Sequence, residues 1–162
     1  MEKTFGATGR NDQLIVHGTG KAVLIYGYGN DGEQGFDYRQ VFDHKPSEEE
    51  LREVIEAHIN ALTDEKILSG FFWNGKPVWL SSENQFNFKA AYDLAVQTDG
   101  ASLPVKFKLG EDAQHKPVYH TFTKMTSFTE FYAQAIAFIN QTLNEGWAEK
   151  DSVNYDAFLG TT

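Results

Sequence analysis

The sequence predicts an α+β fold: a short antiparallel sheet of two β-hairpins packed with three helices, preceded by a small β-rich N-terminal segment. Three observations predict it. Ser-x-x-Glu/Gln capping boxes at Ser47/Glu50, Ser82/Gln85 and Ser127/Glu130 each precede apolar residues at helical spacing. Between the boxes lie two β-leaning pairs, one closed by Asn74-Gly75 and the other by GEDAQHK. Ahead of the first box, residues 1–45 are rich in glycine and short apolar runs without a helical period.

In chain order, Leu14 to Val16, Ala22 to Tyr26 and Phe36 to Phe42 read as three short strands, with GYGNDGEQG between the last two as a turn or irregular loop. The Lys45-Pro46 step marks a boundary, because a residue before proline leaves the α region; it divides the chain into a segment 1–45 and a domain 46–162. The first helix follows, with Leu51, Val54, Ile55, His58, Ile59 and Leu62 along one face. Lys66 to Trp73 and Lys76 to Leu80 then read as strands about a type I′ turn, with Pro77 marking an edge or a local irregularity. The second helix is expected from Glu83 to about Val96 with Phe86, Ala90 and Leu94 as its stripe, stopped by Thr98, Asp99 and Gly100. Val105 to Leu109 alternates as a strand with one wet face, and Pro117 to Phe122 is its antiparallel mate. The third helix places Phe128, Phe131, Tyr132, Ala135, Ile139 and Leu143 on its core face and is expected to end at Gly146 as a left-handed cap.

Composition narrows the function classes. The 162 residues include 41% apolar and 14% aromatic side chains, too many for a disordered chain. Cysteine is absent, which removes disulfides, thiolate zinc sites and cysteine nucleophiles. A formal charge of −9 disfavours nucleic acid, whose affinity comes from Lys and Arg on phosphates. MEKTFGATGRND has no apolar signal region and no later run is long enough to span a bilayer, so the expectation is a soluble cytoplasmic protein without a membrane partner.

No motif carries chemistry. Gly27-Tyr28-Gly29-Asn30-Asp31-Gly32 satisfies GxGxxG after a strand, but a dinucleotide site requires a helix next, and Glu33, Gln34, Gly35 and a β-leaning run follow instead. Gly18-Thr19-Gly20-Lys21 lacks the first glycine of a Walker loop, where Ile15 stands, and its magnesium-binding hydroxyl, where Ala22 stands. Asn30, Asp31, Glu33 and Asp37 fit no calcium-loop spacing and read as a solvated turn. His17, His44, His58, His115 and His120 show no metal-ligand spacing; His58, on the apolar stripe, reads as a satisfied core histidine rather than a general base. No catalytic residue, cofactor site or metal site is therefore assigned, and an enzyme would require scattered groups to converge, such as His58 with Asp64 or Glu83. The candidate contact surface is aromatic: Tyr26, Tyr28, Phe36 and Tyr38 around the glycine-rich loop, and Trp73 and Trp79 on the hairpin. The hairpin is read mainly as core, its outer side being either covered or a docking surface.

ILSGFFWNGKPVWL and ENQFNFKAAYDLA, through Gly70, Phe71, Trp73, Gly75, Trp79 and Gln85, resemble a domain-of-unknown-function family of phages and prophages. The likeness continues through LPVKFKLGEDAQHKPVYHTFT and FYAQAIAFINQTLNEGWAEKD and covers about residues 47–155. Members often occur in or near tail-fibre and tail-assembly genes, including those of phages of Bacteroides-type bacteria. The resemblance implies a non-enzymatic, tail-associated structural or accessory protein. Its partner would be a tail component, homo-oligomerisation is open to it, and it would be made in a bacterial host cytoplasm with virion association to follow. The alternative is a small phage factor that binds a host protein or host signal molecule to counter defence. Residues 1–44 lie outside the pattern, which makes them the natural place for an attachment particular to this protein.

Overall fold

The computed structural model describes residues 1–160. These form an α+β fold with helix at 44% and strand at 28%, all sheets being antiparallel. The chain divides into two compact units, Met1–Asn60 with the C-terminal segment from Ala148, and Ala61–Trp147. This division falls away from the Lys45-Pro46 step. The physical reason is that the first turns of the first long helix, and the C-terminal segment, supply the core under the N-terminal strands.

In the first unit, β1 (Glu2–Phe5), β2 (Gln13–Val16), β3 (Ala22–Asn30) and β4 (Gly35–Phe42) form one sheet in the order β1-β4-β3-β2. Ala22, Leu24 and Tyr26 alternate into the core, as the two-residue period of a half-buried strand requires. They meet Leu51, Ile55 and Ile59 of α1 (Glu48–Ser69) and Tyr155 and Phe158 of α4 (Tyr155–Leu159). The expected capping box opens α1: Glu50 N–H donates to Ser47 Oγ at 3.2 Å, and Ser47 N–H donates to Glu50 Oε2 at 2.8 Å.

GYGNDGEQG is a turn only at its centre. β3 runs through it to Asn30, and the turn is confined to residues 31–34. The glycines admit close neighbours: a Cβ at Gly29 would strike the Phe36 ring, and one at Gly35 would strike the Ala7 carbonyl oxygen and lie 2.9 Å from the Tyr28 ring. The register slips between Tyr26 and Gly29, a bulge that Gly27 accommodates at φ 69°. Two elements escaped the sequence reading, β1 and the five-residue α4, which is capped by Asn154 Oδ1 accepting from Ala157 N–H.

The second unit holds two hairpins, β5 (Phe71–Trp73) with β6 (Lys76–Val78) and β7 (Val105–Glu111) with β8 (Pro117–Phe122). Asn74 and Gly75 both have positive φ, 50° and 73°, as the type I′ turn demands. The hairpins are separate two-stranded ladders, linked where Trp79 N–H donates to Leu109 O at 2.7 Å. Around them, α2 (Ser82–Gln97) and α3 (Met125–Ser152) contribute Phe88, Ala95, Phe128, Phe131 and Ala135 to a core with Phe71, Trp73, Leu109 and Phe122. Phe122, Phe128 and Phe131 are completely buried.

Four expectations change here. Residues 66–69 are the end of α1, not strand, because Ile67 continues the helix face that packs on the core. Ser81, not Ser82, caps α2: its Oγ accepts from Asn84 N–H at 3.2 Å, while Gln85 Nε2 donates to Leu80 O. α3 starts at Met125, before Ser127, whose hydroxyl instead donates to Lys124 O. α3 also passes through Gly146, where glycine is needed for close approach rather than for a left-handed cap: a Cβ would lie 2.5 Å from Thr63 Oγ1.

The largest revision concerns α2. Phe88, Ala91, Tyr92 and Ala95 form its core face, and the expected stripe of Phe86, Ala90 and Leu94 faces solvent, with Phe86 70% and Leu94 51% exposed. Both sets satisfy helical spacing. Phe88 wins the core because its ring meets Phe107 and Phe131 edge-on at 4.9 and 5.1 Å.

Candidate functional site

The first unit contains a buried-to-surface polar network unforeseen from sequence. The bulge in β3 frees the Gly27 amide, and Asp12 Oδ1 accepts from it at 2.7 Å. Asp12 Oδ2 accepts from Arg10 Nε at 2.7 Å, and Arg10 Nη2 donates to Glu149 Oε1 at 2.6 Å. Tyr26 O–H donates to the same Glu149 oxygen at 2.6 Å. Three distant pieces of chain are thus tied by charge-assisted bonds, which are about twice as strong as neutral ones.

The protonation states follow. The Arg10 bond holds Glu149 below the usual carboxylate range, and the Arg10 guanidinium is in turn held charged, chiefly by Glu149. Burial, with the carboxylate beside it, pushes the Tyr26 phenol up. The network consequently fixes three groups in their ordinary neutral-pH forms. Next to it opens a pocket of ≈ 330 Å³, lined by Arg10, Asp12, Tyr26, Ser152, Asn154 and Phe158 among others.

His58 is buried on α1 with its ring 4.2 Å from Tyr38 and 6.4 Å from Tyr26. Its Nε2 is buried without a hydrogen-bond partner, against the expectation of a satisfied histidine. Burial pushes the imidazole pKa down, with the α-amino group of Met1 adding to the effect, and the ring is neutral at neutral pH.

Of the candidate contact residues, Tyr26 and Trp73 are corrected outright: both are 3% exposed and belong to the two cores. Trp73 is enclosed by Phe122 and Phe131 at 5.4 Å each and by His120 at 4.8 Å. His120 Nδ1 accepts from Lys76 Nζ at 3.2 Å. Phe36 and Tyr38 are half-buried and packed edge to face at 5.6 Å. Trp79 is half-buried between Gly110 and the Lys108 ammonium, which lies 5.3 Å from its ring. Tyr28 alone among the six is open to solvent, at 39%.

A row of exposed apolar side chains lies elsewhere in the N-terminal sheet. With Ala22, Leu24 and Tyr26 pointing inward, Val23 and Ile25 occupy the opposite face. The register places Ile15, Val23 and Val41 side by side across β2, β3 and β4, Val41 being 65% and Ile15 38% exposed. The adjoining cross-strand row is Gln13, Ile25, Arg39 and Glu2.

Among the described residues, no group of three or more His, Asp or Glu side chains is placed to hold a metal ion, and no helix is long and apolar enough to cross a membrane. No protein-family model, curated protein or solved structure matches the chain.

Proposed function

We propose that this protein works by binding another protein, without catalysis, as a tail-associated structural or accessory component of a phage or prophage. The observation that supports contact is the Ile15, Val23 and Val41 row on the outer face of the N-terminal sheet. It lies in the segment outside the family resemblance. Burying such residues against a partner is worth roughly 25 cal/mol per Å² of apolar area. The net charge of −9 turns phosphate-bearing surfaces away, which leaves protein as the occupant of this face. The phage setting rests on the resemblance of Gly70, Phe71, Trp73, Gly75, Trp79 and Gln85 to the tail-associated family.

Immobilised protein offered to dissociated phage particles tests the reading. Wild type should retain a tail component identified by mass spectrometry, and Val41→Glu combined with Ile15→Glu should lose it while melting like wild type. No retention of any tail component, together with absence from particles, would overturn the reading.

A second reading is favoured by the pocket beside Arg10: a phage factor that takes a small host signal molecule, with Val153 and Ala157 offering apolar surface and Asn154 and Arg10 polar groups. Thermal shifts against nucleotides and signal molecules decide it. A shift abolished by Ala157→Glu, with the melting of the free protein unchanged, supports it, and flat melting throughout removes it.

A further inference from the structure

The pocket beside Arg10 shows through its own side chains which charge its wall accepts. Arg10, the one cation among the described lining residues, is held by two carboxylates: Nε donates to Asp12 Oδ2 at 2.7 Å and Nη2 to Glu149 Oε1 at 2.6 Å. Its guanidinium carbon also lies 5.2 Å from the centre of the Tyr26 ring. Tyr26 adds no charge, because burial and the Glu149 carboxylate to which it donates keep the phenol protonated. One positive charge therefore stands against two negative ones, and one carboxylate charge is left over beside the cavity. The surroundings reinforce it: residues 1–60 and 148–162 hold 14 Asp and Glu against 7 Lys and Arg, a net of −7 out of the chain's −9. A cleft concentrates such a field on whatever enters it.

We propose that this pocket takes a small organic cation, a primary ammonium on a short apolar body with an uncharged polar far end, and turns nucleotides and other anions away. The inference rests on the second reading above, the pocket as a small-molecule site, and assigns the class of its ligand.

The lining supplies the matching groups. Asp12, whose side chain is 22% exposed, keeps acceptor capacity on both oxygens after accepting from Arg10 and from Gly27 N–H. Ser152 Oγ donates to Glu149 O at 2.8 Å, so only its lone pairs remain for a ligand. Both groups suit an ammonium, which donates three bonds and accepts none. Asn154 Oδ1 accepts from Ala157 N–H, which leaves its amide nitrogen to donate to the far end of the ligand. Val153 and Ala157 add apolar surface for the body. At ≈ 330 Å³ the cavity lies at the small end of ligand pockets. A phosphate or carboxylate in the same place would meet Asp12, while the guanidinium beside it is already committed to two acids.

Three probes of one chain length test the charge: aminopentanol, pentanediol and hydroxypentanoate carry an ammonium, a hydroxyl and a carboxylate at the end that varies. In the purified full-length protein at constant ionic strength, aminopentanol should raise the melting temperature, and the other two should not at the same concentration. Calorimetric titration of aminopentanol then separates the pocket from general attraction to an acidic protein. Asp12→Asn, whose amide oxygen can still accept from Gly27 N–H, should weaken binding about fivefold, and Arg10→Gln, which frees both carboxylates, should tighten it by a similar factor. Glu49→Gln makes the same charge change at an exposed position of α1 and should leave the affinity as it was. Damage to the fold would weaken binding in both pocket variants and cannot produce opposite shifts. Flat melting with all three probes overturns the inference, and flat melting with nucleotides and signal molecules as well removes the small-molecule reading beneath it. Stabilisation by pentanediol or hydroxypentanoate equal to that by aminopentanol overturns the charge assignment alone. So does weakening by Arg10→Gln, or equal weakening by Glu49→Gln and Asp12→Asn.

Discussion

Phe88→Ala and Phe86→Ala remove the same ring from positions two apart on one helix, and their costs should be widely different. Phe88 is 2% exposed, with edge-to-face partners in Phe107 and Phe131. Its truncation leaves a cavity between the completely buried Phe131 and the half-buried Phe107, for which Phe→Ala changes cost about 3–5 kcal/mol. Each lost aromatic pair contributes about 0.5–1.5 kcal/mol beyond burial. Phe86, 70% exposed, has little to lose, and its truncation should stay within about 0.5 kcal/mol of wild type. Urea unfolding followed by tryptophan fluorescence reports the second unit through the buried Trp73. The midpoint should fall sharply for Phe88→Ala and barely move for Phe86→Ala. Equal losses, or a larger loss for Phe86→Ala, would show that the helix is rotated from the orientation described and would remove the exposed row with it.

Other outcomes follow from single contacts. Gly146→Ala, which on helix propensity alone should stabilise by about 1 kcal/mol, should destabilise by about 1–3 kcal/mol because its methyl meets Thr63 Oγ1; combining it with Thr63→Ala should recover most of the loss in a denaturant titration. His58 has its folded pKa below its ordinary 6.5, so its contribution is fully present above about pH 6.5, declines as the pH falls through that value, and levels off below the folded pKa. Stability measured from pH 7.5 to 5 should therefore decline less steeply in His58→Phe than in wild type. Glu149 acts in a lower window: its pKa is depressed from 4.5, so its contribution is present above that value and is lost as the pH falls through the folded pKa, a limb that Glu149→Gln should flatten. Gly29→Val should destabilise the N-terminal sheet, since the Phe36 ring occupies the space of any side chain there, and hydrogen exchange in β3 and β4 should rise.

The legible parts of the fold were those whose signals are local. Ser47 with Glu50, Asn74 with Gly75, and the alternation from Val105 to Leu109 each specify a conformation within a few residues, and each is realised. Where two local readings competed, tertiary contacts decided: Ser81 over Ser82, the Phe88 face over the Phe86 face, and helix over strand at Ile67. Gly146 misled because a glycine that ends a helix and one that admits a neighbour are identical in sequence. Only Thr63, brought near by folding, tells them apart. The Arg10, Asp12 and Glu149 network was invisible for a related reason. Its members are up to 139 positions apart and carry no spacing that announces them. The glycines near Tyr28 and Phe36 match a nucleotide-loop pattern in sequence, whereas in the fold Gly29 leaves room for the Phe36 ring and Gly35 for the Ala7 carbonyl.

The most direct measurement is quantitative mass spectrometry of purified particles from an induced lysogen carrying either the wild-type gene or the Val41→Glu, Ile15→Glu variant. A contact protein that docks by its N-terminal sheet should be found with tail components in fixed ratio, and the variant should be made at normal levels yet be missing from particles. Equal incorporation of both forms, or absence of the wild type from particles and from every tail complex, would contradict that.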